Sequence, residues 1–301
     1  MAATDGPVGF VGLGMMGLPM ARSLLRRGWR LVACDPSGAA RAALAEGAAP
    51  GAARFADTPA EVAEACRVVV LMLPDSRVVA QVMEGPGGLI AVLRPGQLVV
   101  DMGSSVPSET RRLAAALAGR GAAMVDAPVS GSVVKATSGT LTIMVGGNDQ
   151  AFALAEPVLR GMGETLIRTG PVGSAHAMKA LNNYVYAAGL LAAVEALRMG
   201  ERLGLDLGIL TEVMNASSGR NVATETKLRQ EILSGRYQGG FQLGLMRKDL
   251  ETAAAIAAET GFPARQLGLC LEVWNGAVAA LGAKADNTEI HRHLGGGPER
   301  R

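Results

Sequence analysis

Apolar residues follow two different patterns along the chain. In the first half, short continuous apolar runs alternate with segments of helical periodicity; the runs lie at 7–11, 30–34, 68–73, 97–101, 122–129 and 141–145. Continuous runs of this length are typical of strands in a parallel sheet, because helices cover both faces of such a sheet. The alternation predicts an α/β domain with a doubly wound, mostly parallel sheet.

From about residue 171 onward, the pattern predicts helix almost throughout. The stretch from Gly170 to Gly204 has no proline after Pro171 and is rich in Ala, Leu, Met and Glu, so it favours one continuous helix of about 30 residues. Further helical patterns follow at about 206–216, 222–234, 243–260 and 264–281. We therefore predict an α/β domain over 1–170 and an all-helical domain over 171–301, with the long helix at their junction.

Composition and charge exclude several classes of protein. The 301 residues carry a formal charge of +2, from 29 Lys and Arg against 27 Asp and Glu, and no basic cluster marks a nucleic-acid surface. No uninterrupted apolar run reaches the roughly 18 residues of a membrane-spanning helix. The aromatic content of 3% predicts an aliphatic core.

The three cysteines stand far apart, at Cys34, Cys66 and Cys270, without the spacing of a disulfide framework or a zinc site. We expect buried thiols in a reducing compartment and no bound metal. The first residues lack the basic and then apolar pattern of a signal peptide, so we expect a cytoplasmic protein.

A glycine-rich turn follows the first apolar run directly. Its sequence, Gly12-Leu13-Gly14-Met15-Met16-Gly17, stands between a predicted strand and a predicted helix, which is the context that gives a GxGxxG pattern meaning. Glycine permits the tight turn and lets the backbone approach a pyrophosphate, while the helix N-terminus offers N–H groups to the phosphate oxygens. This turn predicts a dinucleotide site.

Asp35 ends the second predicted strand, 18 residues after Gly17. A carboxylate at about this distance accepts hydrogen bonds from the adenosine ribose, and it repels a 2'-phosphate. Neither Pro36 nor Ser37 supplies an arginine for that phosphate, so NAD is favoured over NADP. The alternatives are a surface residue or a helix N-cap, because Asp35-Pro36-Ser37 also has the form of a helix start.

Small and polar residues follow the later strands. Ligands of an open parallel sheet lie beyond the carboxyl ends of its strands, where Leu73-Pro74, Ser104 and Ser130-Gly131-Ser132 are found. The last of these, hereafter the serine loop, has the hydroxyls and N–H groups to hold a carboxylate. An ordinary Ser/Gly turn is the alternative.

Lys179 and Asn183 stand four residues apart near the start of the long helix and so share a face. Oxidising an alcohol requires a base for the proton, and the reverse reaction requires an acid beside the carbonyl oxygen. A lysine can serve both directions when desolvation or nearby positive charge lowers its pKa from about 10.4 in water. Lys248 is the candidate for that charge, and a solvated helix lysine is the alternative for Lys179.

Four blocks in this order resemble the β-hydroxyacid dehydrogenase family, which includes 3-hydroxyisobutyrate and tartronate semialdehyde enzymes. The similarity covers roughly residues 7–294, and the blocks are residues 9–17, 126–132, 173–183 and 248–250. The resemblance implies a Rossmann domain, a long interdomain helix and an all-helical C-terminal domain. It also implies homodimers or homotetramers.

The resemblance implies roles position by position. Lys179 matches the catalytic lysine and Asn183 the amide that helps to orient substrate. The serine loop matches the substrate-carboxylate loop. Lys248 matches a lysine near the nicotinamide and substrate, and Ser104 matches a residue that contacts the cofactor.

The sequence departs from the family pattern at a few positions. Ser132 stands where many members have Gly or Thr, and Gly103 where Ser is usual. Asn287, Thr288 and His291, near the end of the last helix, are candidates for substrate selectivity, with a C-terminal helix cap as the alternative.

The expected function is hydride transfer between NAD and a small β-hydroxyacid or its semialdehyde, such as 3-hydroxyisobutyrate, tartronate semialdehyde, L-threonate, 4-hydroxybutyrate or a sulfonated analogue. Two alternatives remain open. An imine reductase of the same architecture usually replaces the lysine with Asp or Tyr, and a non-catalytic cofactor-binding scaffold would lose it. Lys179 counts against both.

Overall fold

The structure is a computed structural model that describes residues 6–295. The chain divides into two compact units, Met1–Lys179 and Ala180–Arg301. The first unit is a nine-stranded sheet with helices on both faces. Its strands are β1 Val8–Val11, β2 Leu31–Cys34, β3 Ala53–Phe55, β4 Val68–Leu71, β5 Leu98–Asp101, β6 Ala123–Asp126, β7 Val129–Ser130, β8 Leu141–Gly146 and β9 Gly163–Gly170.

Strand order in the sheet is β3-β2-β1-β4-β5-β6-β8-β7, with β9 also paired to β8. The pairs from β3 to β6 are parallel, whereas β8 runs antiparallel to β6 and β7. The expected doubly wound, mostly parallel sheet is confirmed. The carboxyl ends of β1, β2, β4, β5 and β6 therefore lie at one edge of the sheet.

Among the described residues, the α-helices that belong wholly to the first unit are α1 Gly17–Arg26, α2 Gly38–Glu46, α3 Pro59–Ala65, α4 Ser76–Glu84, α5 Pro107–Ala118, α6 Ser132–Ser138 and α7 Asp149–Arg160; a 3₁₀ helix spans Leu89–Ala91. These helices cover both faces of the sheet. As a result, alternate residues of one strand belong to two different cores. In β4, Val68 and Val70 pack in one core and Val69 and Leu71 in the other. This burial on both faces explains why the strands are continuous apolar runs.

The predicted strand over 122–129 was wrong as a single element, because it breaks after Asp126. Pro128 has no N–H to donate to a neighbouring strand, and the next strand begins at Val129. Strands β3 and β9 were not predicted. Strand β9 is mostly exposed and polar, and β3 has only three residues, so neither produces an apolar run.

The long helix, α8 Ser174–Arg202, has 29 residues and crosses the division between the two units. The second unit continues with α9 Leu207–Ala216, a π-helix Thr224–Leu233, α10 Leu243–Thr260, α11 Arg265–Leu281, a 3₁₀ turn Asn287–Glu289 and α12 Ile290–Leu294. All four helices expected after α8 are present. The π-helical hydrogen bonding of the second was not expected.

Among the described residues, the buried core of the second unit is mostly aliphatic and contains the aromatic side chain of Trp274, with Tyr184, Tyr186, Tyr237 and Phe241 packed against it. Leu190, Val194 and Leu197 of α8 pack in the same cluster as Leu250 and the fully buried Trp274. The other tryptophan of the chain, Trp29, packs against a core of the first unit. Each unit thus has its own core and one tryptophan.

Within residues 6–295, no helix combines the length and apolarity needed to cross a bilayer. The three cysteines are free and buried, as expected. The glycine- and arginine-rich tail beyond residue 295 lies outside the described residues.

Candidate functional site

Two glycines of the turn between β1 and α1 are required by close contacts, each with a different neighbour. Gly12 has a φ of +97°, and a Cβ there would lie 2.3 Å from the carbonyl oxygen of Met72. A Cβ on Gly17 would lie 2.0 Å from the carbonyl oxygen of Gly12, so only glycine lets the start of α1 approach the turn. At Gly14, by contrast, a Cβ would meet nothing within 4 Å. The turn is therefore closed toward the sheet and open at Gly14.

Asp35 lies at the carboxyl end of β2 and binds this turn directly. Its Oδ2 accepts a hydrogen bond from the Leu13 N–H at 2.6 Å, and its Oδ1 accepts one from the Ser37 N–H at 2.8 Å. The cap of α2 is Ser37, whose side chain accepts from the Ala40 N–H. A carboxylate has about four lone-pair positions, so two remain for hydroxyl donors. Asp35 is positioned by the turn and does not itself cap α2.

The turns that follow β4 and β5 contact each other. A Cβ on Gly103 would lie 3.0 Å from the carbonyl oxygen of Leu73 and 3.2 Å from Oδ1 of Asp101. The usual serine at position 103 would therefore require these neighbours to shift. Pro74 is exposed, and Ser104 is half-buried in the Gly103–Ser105 turn. Both turns lie beyond strand ends, as predicted.

The serine loop spans the end of β7 and the start of α6. Ser130 is paired with Thr142 of β8, which fixes its backbone in the sheet. Gly131 has a φ of +134°, and a Cβ there would lie 2.5 Å from Cδ of Lys135. Ser132 also has a positive φ, +58°, although it is not a glycine. Its side chain is exposed.

Helix α8 presents Lys179 and Asn183 one turn apart, as the spacing predicts. Lys179 is half-buried and is the last residue of the first unit. Asn183 is 7% exposed and belongs to the second unit.

Within the second unit, Asp249 joins the two predicted site residues. Its Oδ2 accepts a hydrogen bond of 2.5 Å from Nδ2 of Asn183, and its Oδ1 lies 3.3 Å from Nζ of Lys248. Asp249 is 2% exposed, and a buried carboxylate requires such partners. The sequence analysis did not select Asp249. Its place in the Lys248-Asp249-Leu250 block was the available signal.

The segment that holds Asn287, Thr288 and His291 is not a C-terminal helix cap, and that alternative was wrong. Asp286 forms a capping box with Glu289 and so begins a new helical turn. The side-chain amide of Asn287 donates to the Tyr186 hydroxyl at 3.2 Å. Thr288 is fully buried, and its hydroxyl donates to Asp286. These contacts are all internal to the second unit.

His291 lies 3.0 Å from the Tyr237 hydroxyl through its Nδ1. Burial above all, together with the positive charges of Arg198 and Arg292, lowers the pKa of this imidazole to about 4 against a smaller upward effect of the Glu201 carboxylate. The ring is therefore neutral near pH 7. A neutral, half-buried imidazole accounts for His291 without a ligand.

Comparison with known proteins covers almost the whole chain. Residues 7–170 match the family model described as the NAD binding domain of 6-phosphogluconate dehydrogenase. Residues 173–294 match the model described as the NAD-binding domain of NADP-dependent 3-hydroxyisobutyrate dehydrogenase.

Similar proteins of known activity share about a third of their residues with this chain. The 2-(hydroxymethyl)glutarate dehydrogenase of Eubacterium barkeri is 37% identical over 90% of this chain and 89% of its own length. The mitochondrial 3-hydroxyisobutyrate dehydrogenase of Mus musculus is 35% identical over 97% of this chain and 88% of its own length.

Solved structures agree with the sequence comparisons. The 3-hydroxyisobutyrate dehydrogenase of Mycobacterium tuberculosis, solved with L-serine, superposes with a TM-score of 0.88 at 28% identity, over 97% of this chain and 99% of that one. An imine reductase of Myxococcus stipitatus has a TM-score of 0.66 at 19% identity, over 97% of this chain and 100% of that one, which shows a shared fold alone.

Proposed function

Since the chain belongs to the β-hydroxyacid dehydrogenase family, and is therefore an oxidoreductase that transfers a hydride between NAD and a small β-hydroxyacid or its semialdehyde, we propose how its residues divide this work. The observation that carries the proposal is helix α8, which places Lys179 and Asn183 on one face, one turn apart. Bound NAD supplies the hydride acceptor, and the reduced form supplies the donor.

The residues of the first unit fit a dinucleotide. The turn at Gly12–Gly17 is open at Gly14, where the backbone can approach a pyrophosphate, and α1 begins at Gly17, so the N-terminus of this helix can offer N–H groups to the phosphate oxygens. Asp35 keeps free lone pairs for the hydroxyls of a ribose and presents negative charge against a 2'-phosphate. Leu73, Pro74 and Ser104 border the same edge of the sheet.

Lys179 is proposed as the general acid/base. As a neutral amine, it takes the hydroxyl proton while the carbinol hydride leaves; as an ammonium, it returns that proton to the carbonyl oxygen. Asn183 is proposed to orient the substrate, and its amide is itself oriented by Asp249. Lys248 is proposed to lie near the nicotinamide and substrate.

The serine loop is proposed to bind the substrate carboxylate. Ser130 and Ser132 supply hydroxyl donors, and the positive φ of Gly131 turns the backbone between them. One loop that binds an anion and one acid/base suit a small hydroxyacid such as 3-hydroxyisobutyrate. Serine and 2-(hydroxymethyl)glutarate, after which two relatives of this chain are named, carry the same carboxylate and hydroxyl groups and belong in the substrate panel.

A Lys179→Ala variant tests the proposal. We expect kcat to fall by about 10²- to 10⁴-fold, which is the usual contribution of a positioned acid/base. The Kd for NAD should stay within about twofold, because the turn at Gly12–Gly17 and Asp35 are untouched. Reduced-nicotinamide absorbance, followed with a panel of hydroxyacids, measures the first quantity and identifies the acid.

Two results would redirect the proposal. Full turnover in Lys179→Ala would remove this lysine from the chemistry. No turnover of any hydroxyacid by the parent enzyme, with NAD binding intact, would favour an imine substrate or a non-catalytic scaffold.

We also propose a homo-oligomer, because α8 exposes the apolar side chains of Met178, Val185 and Met199, which are separated by multiples of seven residues. Val185 is 69% exposed and Met199 is 61% exposed. Light scattering should give a dimer or tetramer mass, and Val185→Glu should lower it; a monomer at all concentrations would contradict the proposal.

The proposed cytoplasmic location is consistent with three buried, unpaired cysteines.

A further inference from the structure

The first turn of α8 is held by a carboxylate from outside the helix. Gly173 precedes the helix and has no side chain to cap it; with a φ of +90°, a Cβ there would lie 3.2 Å from the carbonyl oxygen of Pro107. Asp126, at the end of β6, replaces the missing cap. Its Oδ1 accepts from the Gly173 N–H at 2.7 Å, and its Oδ2 accepts from the His176 N–H at 2.9 Å.

The side chain of His176 makes a second attachment of the same turn. Its Nδ1 lies 2.8 Å from the Thr110 hydroxyl of α5, and its Nε2 lies 3.9 Å from Oδ2 of Asp101 at the end of β5. His176 and Thr110 are each 1% exposed, and Asp101 is fully buried. The imidazole thus links α8 to α5 through Thr110 and lies beside the end of β5 that carries Asp101.

The hydrogen-bond partners favour one arrangement of the ring proton. The Thr110 hydroxyl lies 2.8 Å from Nδ1 and 3.2 Å from the Val106 carbonyl oxygen; when it donates to an unprotonated Nδ1, the Nε2–H faces the Asp101 carboxylate. The opposite tautomer would turn the Nε2 lone pair toward a buried negative charge, which is unfavourable. Nε2 has no closer partner among the described residues.

Asp101 extends the link to the turn that carries Ser104. Its Oδ1 accepts from the Gly103 N–H at 3.0 Å, and its Oδ2 accepts from the Ser105 hydroxyl at 2.7 Å. The same carboxylate therefore holds the turn proposed to contact the cofactor and faces the histidine one turn before Lys179. All of these residues lie in the first unit.

We propose that His176 is a positioning residue, which fixes the first turn of α8 against Thr110 and Asp101 and thereby sets the place of Lys179. This inference rests on the proposed role of Lys179. Lys179 follows His176 by three residues, about 4.5 Å along the helix axis, so a displaced first turn displaces the lysine with it. A misplacement of about 1 Å at a reacting group can cost about 10²-fold in rate.

Two substitutions of His176 distinguish an effect on the placement of Lys179 from a general effect on stability. His176→Leu fills similar space without polar atoms, whereas His176→Gln can accept from Thr110 and donate toward Asp101. We expect kcat to fall by about 10²-fold in the leucine variant and to return to within about fivefold of the parent in the glutamine variant. The Kd for NAD should change by less than about twofold, and the KM for the acid by less than about threefold.

A double-variant cycle with Lys179→Ala identifies the route of the effect. If His176 acts through Lys179, then His176→Leu combined with Lys179→Ala should turn over at the rate of Lys179→Ala alone, within about twofold. His293→Leu, a histidine of α12 without a proposed role, serves as the matched control and should keep the kcat of the parent.

Three results would overturn the inference: an unchanged kcat in His176→Leu, a glutamine variant no better than the leucine variant, or losses that multiply in the double variant. Retained turnover in Lys179→Ala would instead contradict the proposed function, so the two failures are distinguishable. If His176→Leu does not fold, Thr110→Val removes one partner of the same ring. A loss of about 10-fold in kcat is then expected, and an unchanged kcat counts against the inference.

Discussion

Ser132 combines an exposed hydroxyl with a left-handed backbone conformation, φ +58°. This conformation costs a residue with a Cβ roughly 1–2 kcal/mol, and only glycine avoids the cost. Glycine, which many family members have here, would relieve the strain but remove the hydroxyl. Ser132 therefore exchanges stability for a potential donor in the substrate loop.

Comparison of Ser132→Gly with Ser132→Ala isolates this strain, because both variants lack the hydroxyl. We expect the glycine variant to have the larger free energy of unfolding, by about 1 kcal/mol, since it alone relieves the positive φ. Urea unfolding measures the difference. Equal midpoints would show that the backbone of position 132 is relaxed in solution.

Asp35 provides a second test at the residue scale. Asp35→Asn keeps an oxygen for the Leu13 or Ser37 N–H but removes the charge that repels a 2'-phosphate. We expect the ratio of kcat/KM for NAD to that for NADP to fall by about 10-fold or more, equivalent to about 1.4 kcal/mol. An unchanged ratio would show that Asp35 only supports the turn.

The sequence alone could identify candidate site residues where residue type and spacing together indicated a chemical role. Lys179, Asn183 and Asp35 were found in this way, and their proposed roles remain predictions. Asp249 and the side-chain contacts of His176 were not found. Their partners, Asn183 and Thr110, are each 66 residues away in sequence, and no local pattern reports such a contact.

Among the elements, α12 gives a pH-dependent prediction. Because His291 has a folded pKa of about 4 against 6.5 ordinarily, the unfolded chain binds a proton below about pH 6.5 that the folded chain does not bind until about pH 4. This histidine therefore makes the free energy of unfolding fall as pH decreases through that window. His291→Gln removes the titrating group and should flatten the dependence.

The measurement is urea unfolding of both proteins at several pH values between about 4 and 7. Carboxylates that do not interact with His291 titrate alike in parent and variant, so the difference between the two curves reports His291 and its neighbour Glu201. Parallel curves would mean that the imidazole titrates normally in the folded state.

Elements were predictable where one physical signal dominated. Strands buried on both faces gave apolar runs, and α8 gave a long stretch without proline. Strand β9 gave no such signal, because it is held in the sheet by backbone pairing with β8 and not by burial of its own side chains. The π-helix Thr224–Leu233 has the composition of an α-helix, so its hydrogen-bond register is decided by packing.

At the scale of the whole molecule, the change of pattern near residue 171 predicts two domains, over 1–170 and 171–301. The two compact units of the structure divide after Lys179, within α8. The first residues of the helix, including His176, bond to strand ends of the first unit, whereas Leu190 and Val194 belong to the core of the second. An apolar pattern continues smoothly across such a division and does not mark it.

The presence of one tryptophan in each unit makes the protein its own fluorescent probe. Trp274→Phe leaves the emission of Trp29, which reports the unit with the turn at Gly12–Gly17, and Trp29→Phe leaves the emission of the buried Trp274. With NAD at about 100 times its Kd, the unfolding transition seen by Trp29 should gain about 2.7 kcal/mol. If the transitions seen by both tryptophans gain that amount, the two units unfold together. If only the transition seen by Trp29 gains it, the units unfold separately. If the transition seen by Trp29 does not change, NAD does not bind the first unit. The emission spectrum can thus resolve the units without any added label.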